Sequence, residues 1–276
     1  MDSYLVGLVG TGIGPSLSPA LHEREADRLG LRYLYRRLDL DELRASLGEI
    51  VAAARLAGYD GLNVTHPGKQ VVLKHLDSVD ATAGAVGAVN TIVFRDGQAV
   101  GYNTDTTGFA RAVETGLADV SLGRVVLLGA GGAGAACGHA LRAMGARDIT
   151  VFDREPARAA ALAATLNATA GTALDDALST ADGMVHATPT GMEAHPGLPL
   201  PSDLLGPRLW VADVVYRPLD TALVRAARAR GCRVLDGGRM AVFQAADAFR
   251  LFTGRTPDAD RMLRHFESLE APCPTP

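Results

Sequence analysis

The chain has 276 residues, of which 47% are hydrophobic and 21% charged, the balance of a globular rather than a disordered protein. A formal net charge of −4 gives no general attraction to nucleic acid or to an anionic membrane surface. At about 100–200 residues per domain, two domains are expected.

In chain order, Tyr4-Leu5-Val6-Gly7-Leu8-Val9-Gly10 reads as a buried strand ending in a Gly-rich loop. Past Pro19 an amphipathic helix runs to Leu29, with Gly30 as its stop. Arg32 to Leu38 is a second strand, and Asp39 or Asp41 caps a helix that continues to Ala57. Gly61 to Thr65 is a third strand, after which Pro67 opens a short helix. Strand alternating with helix implies parallel pairing in a small sheet. Thr91-Ile92-Val93-Phe94 and Ala99-Val100-Gly101-Tyr102 flank Asp96-Gly97, a hairpin signal because that turn needs positive φ. A helix follows at about Asp105, where the domain boundary is placed.

The second half begins with Val125-Val126-Leu127-Leu128, a continuous apolar strand of the kind buried on both faces. An Ala-rich helix then runs to Met144, a strand from Ile149 to Phe152, and a helix from Glu155 to Leu166. Short strands at Gly183–His186, Leu209–Asp213 and Arg233–Leu235 precede helices from about Met240 to Phe252 and Pro257 to Phe266. The tail from Pro272 to Pro276 is expected to be disordered.

Gly129, Gly131 and Gly134 follow the apolar strand and open the Ala-rich helix, with Ala130, Gly132 and Ala133 between and beside them. In that context a GxGxxG reads as a dinucleotide-binding turn. The first glycine makes the tight turn, the second lets backbone approach a pyrophosphate, and the third lets helix pack on strand. Roughly 20 residues on, Asp153 ends the next strand, placed either to accept from ribose hydroxyls or to cap the following helix. Its charge disfavours a 2′-phosphate and points to NAD, while Arg154 and Arg158 nearby leave NADP open.

Three polar groups stand out in the first half. Ser16-Leu17-Ser18-Pro19 either aims two hydroxyls at one ligand or forms an ST-turn and helix cap. Lys69, in the turn Thr65-His66-Pro67-Gly68-Lys69 beyond a strand, is either a crevice residue or a solvated one. Asn90-Thr91 and Asn103-Thr104-Asp105 bracket the hairpin, and Asp105 reads equally as a helix cap or a catalytic carboxylate. Tyr216 is read evenly between substrate contact and packing. His22, His186 and His195 are not paired with carboxylates or cysteines at ligand spacing, so no metal is assigned. Cys137, Cys232 and Cys273 lack CxxC spacing, which argues against structural zinc and against a disulfide framework. With no basic leader before Tyr4 and no apolar run of ~18 residues, a cytoplasmic protein is expected, acting on a small molecule as monomer or homodimer, without membrane or nucleic-acid partners.

These motifs also carry a resemblance. Ser16-Leu17-Ser18-Pro19 with His22, Asn63-Val64-Thr65-His66-Pro67-Gly68-Lys69, Gly87-Ala88-Val89-Asn90-Thr91 and Gly101-Tyr102-Asn103-Thr104-Asp105 resemble successive signatures of the shikimate dehydrogenase family. So do Gly129 to Gly134, Ala187-Thr188-Pro189-Thr190-Gly191-Met192, and Gly238-Arg239-Met240 with Gln244. Asp153-Arg154-Glu155 stands where the NADP-using biosynthetic members have Asn-Arg-Thr, and is more similar to the NAD-dependent quinate/shikimate dehydrogenases of actinobacteria.

The resemblance implies an α/β protein with an N-terminal substrate-binding and catalytic domain (1–105), a Rossmann domain (106–238) and C-terminal helices (239–276) packing back on the first, with a cleft between the domains. It implies NAD(P)-linked oxidation of a ring hydroxyl of shikimate or quinate. Ser16 and Ser18 would hold the carboxylate; Thr65, Asn90 and Gln244 the ring hydroxyls. Lys69 and Asp105 would form the catalytic pair, and Thr188, Val214 and Met240 would line the cofactor path. An amino-substituted shikimate or quinate is a third substrate. The competing readings are a folate-linked methylene dehydrogenase, disfavoured by the paired serines and Gln244, and a non-catalytic NAD sensor, which has no need for both Lys69 and Asp105.

Overall fold

The computed structural model describes residues 2–270; Cys273 and the tail from Pro272 to Pro276 lie outside the described residues. The chain divides into two units, one comprising the residues up to Thr104 with those from Val242 onward, the other Asp105–Ala241.

The first unit runs β1 (Ser3–Gly10), α1 (Ser18–Arg28), β2 (Arg32–Asp39), α2 (Leu40–Leu43), α3 (Leu47–Leu56), β3 (Gly61–Val64), α4 (Gly68–Val71), β4 (Ser78–Val79), α5 (Ala81–Val86), β5 (Thr91–Arg95) and β6 (Gln98–Tyr102). The second runs α6 (Thr104–Gly116), β7 (Arg124–Leu128), α7 (Gly132–Ala143), β8 (Asp148–Phe152), α8 (Pro156–Leu166), β9 (Thr169–Ala170), α9 (Leu174–Thr180), β10 (Gly183–His186), β11 (Trp210–Asp213), α10 (Ala222–Ala229) and β12 (Arg233–Leu235). Helices α11 (Gly238–Thr253) and α12 (Ala259–Glu270) follow, α11 carrying the chain back to the first unit.

The single helix expected from Asp39 to Ala57 is two. Asp39 caps α2, Arg44 turns left-handed at φ 51°, and a fresh start follows at Ser46. There the Ser46 hydroxyl accepts from the Glu49 N–H while the Glu49 carboxylate accepts from the Ser46 N–H at 2.8 Å, a reciprocal capping box that restarts the helix. The hairpin forms where expected, with Asp96 and Gly97 both at positive φ, 51° and 73°.

The first sheet has the order β2-β1-β3-β5-β6-β4, with β1, β2 and β3 parallel and β5 antiparallel to both β3 and β6. Alternation along the strands splits its core between two faces. Val9, Leu62, Val64 and Ile92 pack with Leu47, Val51 and Ala54 of α3. On the other face Val6, Leu8, Tyr35 and Val93 pack with Ala248 and Phe252 of α11. Phe252 sits so close to Gly61 that a Cβ there would lie 2.4 Å from its ring. Each such buried aromatic contributes roughly 1.5–3 kcal/mol.

Among these aromatics lies one imidazole. His22 on α1 is buried against Tyr35, with ring centroids 4.9 Å apart, and against Tyr33 and Phe249. Its Nδ1 meets the Tyr33 hydroxyl at 3.1 Å, and its Nε2 has no hydrogen-bond partner. Burial disfavours the imidazolium and lowers the pKa from 6.5 to about 3. Between those values the unfolded chain binds the extra proton. The stability this residue carries is therefore whole above pH 6.5 and is lost as pH falls toward 3, by about 1.4 kcal/mol per pH unit. Replacing His22 by Phe is expected to shrink the loss of urea-unfolding stability between pH 7 and pH 5 by about 2 kcal/mol. An equal loss in wild type and variant would show that the buried imidazole does not set this acid sensitivity.

Candidate active site

In the first unit the pairing directions bring four strand ends to one edge. Because β3 is parallel to β1, and β5 is antiparallel to β3 and β6, the carboxyl ends of β1, β3 and β6 lie beside the start of β5, in the register Asn63–Thr91–Tyr102. The loops at this edge carry Ser16, Ser18, Thr65, Lys69 and Asn90. Two of them touch: the Thr11 N–H donates to the His66 carbonyl at 3.1 Å, and a Cβ on Gly10 would lie 2.4 Å from the Thr65 methyl.

The serine loop is shaped by the end of β2. Asp39 accepts from the Ile13 N–H at 2.9 Å, and the Arg37 guanidinium donates to the Ser16 carbonyl at 3.0 Å. Ser16 and Ser18 Oγ lie 3.2 Å apart, close enough to address one carboxylate together. Ser16 Oγ also accepts from the Ser18 N–H at 3.3 Å, so the ST-turn reading holds for Ser16. The N-cap of α1 is Leu17, which makes no side-chain cap, so capping explains neither hydroxyl. Both sit at the positive end of α1, where an anion is favoured.

Lys69 lies half-buried in the first turn of α4, its carbonyl accepting from the Val89 N–H at 2.8 Å. Asn90 is buried and acts as a strut: its Oδ1 accepts from the Thr104 N–H at 2.8 Å and its Nδ2 donates to Thr104 Oγ1 at 2.9 Å. That double bond fixes the first residue of α6, and Asp105, also buried, is the next residue. Behind Asn90, the Tyr35 hydroxyl donates to Asn63 Oδ1 at 2.8 Å, and Asn63 Nδ2 donates to Thr91 Oγ1 at 3.1 Å. Gln244 is half-buried on α11.

The second sheet is all parallel, in the order β12-β11-β10-β7-β8-β9. The order reverses between β7 and β10, the switch point at which such sheets take ligands beyond the carboxyl ends of their strands. Gly129 leaves β7 on one side and Ala187-Thr188 leave β10 on the other. Gly129 has φ 103°, and a Cβ on it would lie 2.5 Å from the Ala187 carbonyl oxygen. A Cβ on Gly134 would lie 1.9 Å from the Gly129 oxygen. Only glycine fits either position, and the backbone is left bare at the amino end of α7, a cradle that suits a pyrophosphate.

Asp153 is not the cap of α8, whose N-cap is Glu155. Its two oxygens accept from the Ala130 N–H at 2.8 Å and the Glu155 N–H at 3.0 Å, which ties the end of β8 to the Gly-rich turn. Arg154 is exposed; Arg158 reaches back so that its Nη2 lies 3.4 Å from the Cβ position of Gly131, while Nη1 pairs with Glu155 at 3.3 Å. Val214 donates its N–H to the His186 carbonyl at 3.0 Å, Tyr216 is half-buried, and Met240 is buried. Arg37, Asp39 and His186 carry contacts that the residue pattern does not point to: Ser16, the partner of Arg37, and Asp213, the partner of His186, lie far off in sequence, and Asp39 shows there only its cap of α2.

A parallel sheet with a glycine cradle at its switch point, joined to a second α/β unit whose strand ends gather serines, lysine and asparagine, defines a two-unit dinucleotide-binding protein. The chain belongs to the shikimate dehydrogenase family. Residues 8–92 match the shikimate dehydrogenase substrate binding domain, residues 111–192 the shikimate/quinate 5-dehydrogenase family, and residues 238–265 the shikimate 5′-dehydrogenase C-terminal domain. The chain is 62% identical to a shikimate dehydrogenase (NADP(+)) of Streptomyces avermitilis, over 97% of this chain and 96% of that one. It is 49% identical to a quinate/shikimate dehydrogenase (NAD(+)) of Corynebacterium efficiens, over 97% and 99%. Quinate dehydrogenase from Corynebacterium glutamicum, solved in complex with NAD, superposes with a TM-score of 0.89 at 45% identity, over 97% of this chain and all of that one.

Gly134→Ala is expected to open the turn and weaken dinucleotide binding by at least about tenfold, or 1.4 kcal/mol, in a fluorescence titration with NADH. A dissociation constant within twofold of wild type would show that the turn is not the cradle.

Proposed function

We propose that the protein catalyses reversible oxidation of the ring C3 hydroxyl of shikimate, quinate or both, with NAD(P) as redox partner. What supports this most directly is the near-full-length similarity to shikimate and quinate/shikimate dehydrogenases, across both units. On this reading the first unit takes the substrate and the second the cofactor, and the enzyme works in the cytoplasm as a monomer or homodimer. Ser16 and Ser18 hold the carboxylate. Thr65, Asn90, Tyr216 and Gln244 address the ring hydroxyls. Lys69, in its neutral form, takes the proton from the reacting hydroxyl oxygen and returns it in the reverse direction; Asp105 orients both groups.

Bound NAD(P) supplies the two-electron redox step. Gly129, Ala130, Gly131, Gly132, Ala133 and Gly134 hold its pyrophosphate, Asp153 its adenosine ribose, and Thr188, Val214 and Met240 line its path. NAD is preferred, because Asp153 repels a 2′-phosphate while Arg158 is engaged by Glu155. NADP is second, received by Arg154 and Arg158. Arg37 adds a positive charge beside the serine pair, which favours an acid substrate over a neutral one.

Steady-state kcat/KM with shikimate and quinate, each with NAD and NADP, tests the whole reading. Activity with NAD on either acid is expected, and no activity in all four combinations sinks it. Lys69→Ala is expected to lose about 10²–10⁴-fold in kcat while dinucleotide binding survives. Near-normal turnover would remove Lys69 from the mechanism. Arg37→Gln is expected to raise KM for the acid about threefold at low salt, an effect that fades as salt screens the charge. A rise that ignores salt would leave Arg37 only its tie to the Ser16 carbonyl.

A further inference from the structure

At the carboxyl ends of β10 and β11 lies a polar cluster that the proposed reaction does not use. His186, Asp213 and Thr221 are 0%, 2% and 1% exposed. His186 Nδ1 is 2.9 Å from Asp213 Oδ1, and its Nε2 is 2.6 Å from Thr188 Oγ1. Asp213 also accepts from the Val215 N–H at 3.0 Å and from the Thr221 hydroxyl at 2.7 Å. Thr221 Oγ1 in turn accepts from the Val224 N–H at 3.1 Å, capping α10. Because the carboxylate accepts only, the imidazole proton sits on Nδ1, and Nε2 is left for the Thr188 hydroxyl. Thr188 Oγ1 accepts from the Thr190 N–H at 3.2 Å, so its bonding capacity is directed inward.

The loop these groups hold abuts the glycine turn. The Cβ position of Gly129 is 3.1 Å from the Thr188 methyl and 2.5 Å from the Ala187 carbonyl oxygen. The far side of the loop rests on the same cluster: Gly191, at φ 100°, has its Cβ position 3.4 Å from Thr221 Cβ. Burying a carboxylate and an imidazole is costly unless every group is bonded, and an apolar pair of similar volume would pack a strand end at lower cost. What the polar set adds is a single orientation for Thr188.

We propose that His186, Asp213 and Thr221 are positioning residues for the dinucleotide. They act through Thr188 to hold the Ala187–Gly191 loop against the Gly129 turn. The proposal rests on the reading of this unit as the NAD(P) site and deepens it, since it assigns cofactor affinity to groups shielded from the cofactor by a loop.

The experiment uses the full-length chain with His186→Asn, Thr188→Val and the double variant. The shorter amide of asparagine keeps a donor beside Asp213 without reaching Thr188, and valine keeps the shape of Thr188 without its hydroxyl. NADH and NADPH are titrated by fluorescence in the absence of substrate, and KM for dinucleotide and for acid, kcat and Tm are measured on the same preparations. Each single variant is expected to raise the dinucleotide Kd and KM about tenfold, the worth of one buried hydrogen bond, and His186→Asn to leave kcat and the KM of the acid within twofold. The double variant is expected to be no worse than either single, because both cut the same link. A wild type that binds dinucleotide with variants of unchanged Kd, or with effects that add, overturns the buttress alone. A change in Tm with unchanged Kd does the same. A wild type that binds neither dinucleotide overturns the functional reading and this proposal together.

Discussion

Strand ends hand their loops a problem on which the rest of this structure depends. Where a strand ends and its neighbour ends beside it, the backbone N–H and C=O groups of the following loop leave the ladder and need other partners. Here they find them on side chains at strand ends, of an adjacent strand or of the same one. Asp39 at the end of β2 takes the Ile13 N–H, and Asn90 before β5 takes the Thr104 N–H. Asp153 after β8 takes the Ala130 N–H, and Asp213 at the end of β11 takes the Val215 N–H. Each tie lies beside a loop that carries a proposed ligand-binding residue.

The ties explain how one residue serves shape and chemistry at once. Asp153 is proposed to meet the ribose, yet both its oxygens already accept from backbone, so its position does not wait for a ligand. Carboxylate oxygens have lone pairs to spare after one bond each, which makes that double duty possible. Asn90 is tighter, since its amide spans Thr104 at both ends. Whatever substrate hydroxyl it addresses must share a group that also sets where α6 begins.

Legibility in the sequence followed the type of signal. The Gly129–Gly134 turn was readable because steric demand writes itself as glycine: the 1.9 Å approach at Gly134 admits nothing else. The hairpin was readable for the same reason at Asp96-Gly97. The break between α2 and α3 was not read, because the left-handed residue is Arg44 rather than glycine and the Ser46–Glu49 box lies inside an otherwise continuous helical pattern. Strand β9, of two residues, and helix α9, which has no side-chain cap, leave no pattern long enough to count. Helix α10 does have a capping threonine, but Thr221 lacks a Glu or Gln three residues on. Polar ties across strands were least legible of all. Arg37 and His186 are ordinary letters in ordinary strands, and only their partners in space, the Ser16 carbonyl and the Asp213 and Thr188 side chains, separate them from a solvated arginine and a packed histidine.

Loops tied by polar groups fail differently from loops held by apolar packing. Removing one partner of a buried hydrogen bond strands the other, at about 1–3 kcal/mol for each orphaned group. The consequence scales with the number of donors a residue gathers. Asp213 gathers three, from His186, Val215 and Thr221, whereas Asp39 takes the N–H groups of Ile13 and Asp41. Loss of the Asp213 carboxylate would therefore leave an imidazole, a hydroxyl and a backbone N–H unpaired at the strand ends beside the glycine turn. Shortening an apolar side chain in the same sheet would leave a void but no orphan. Truncating Asp213 would thus orphan three groups at the end of β11 at once, although Asp213 is not among the residues proposed to meet a ligand.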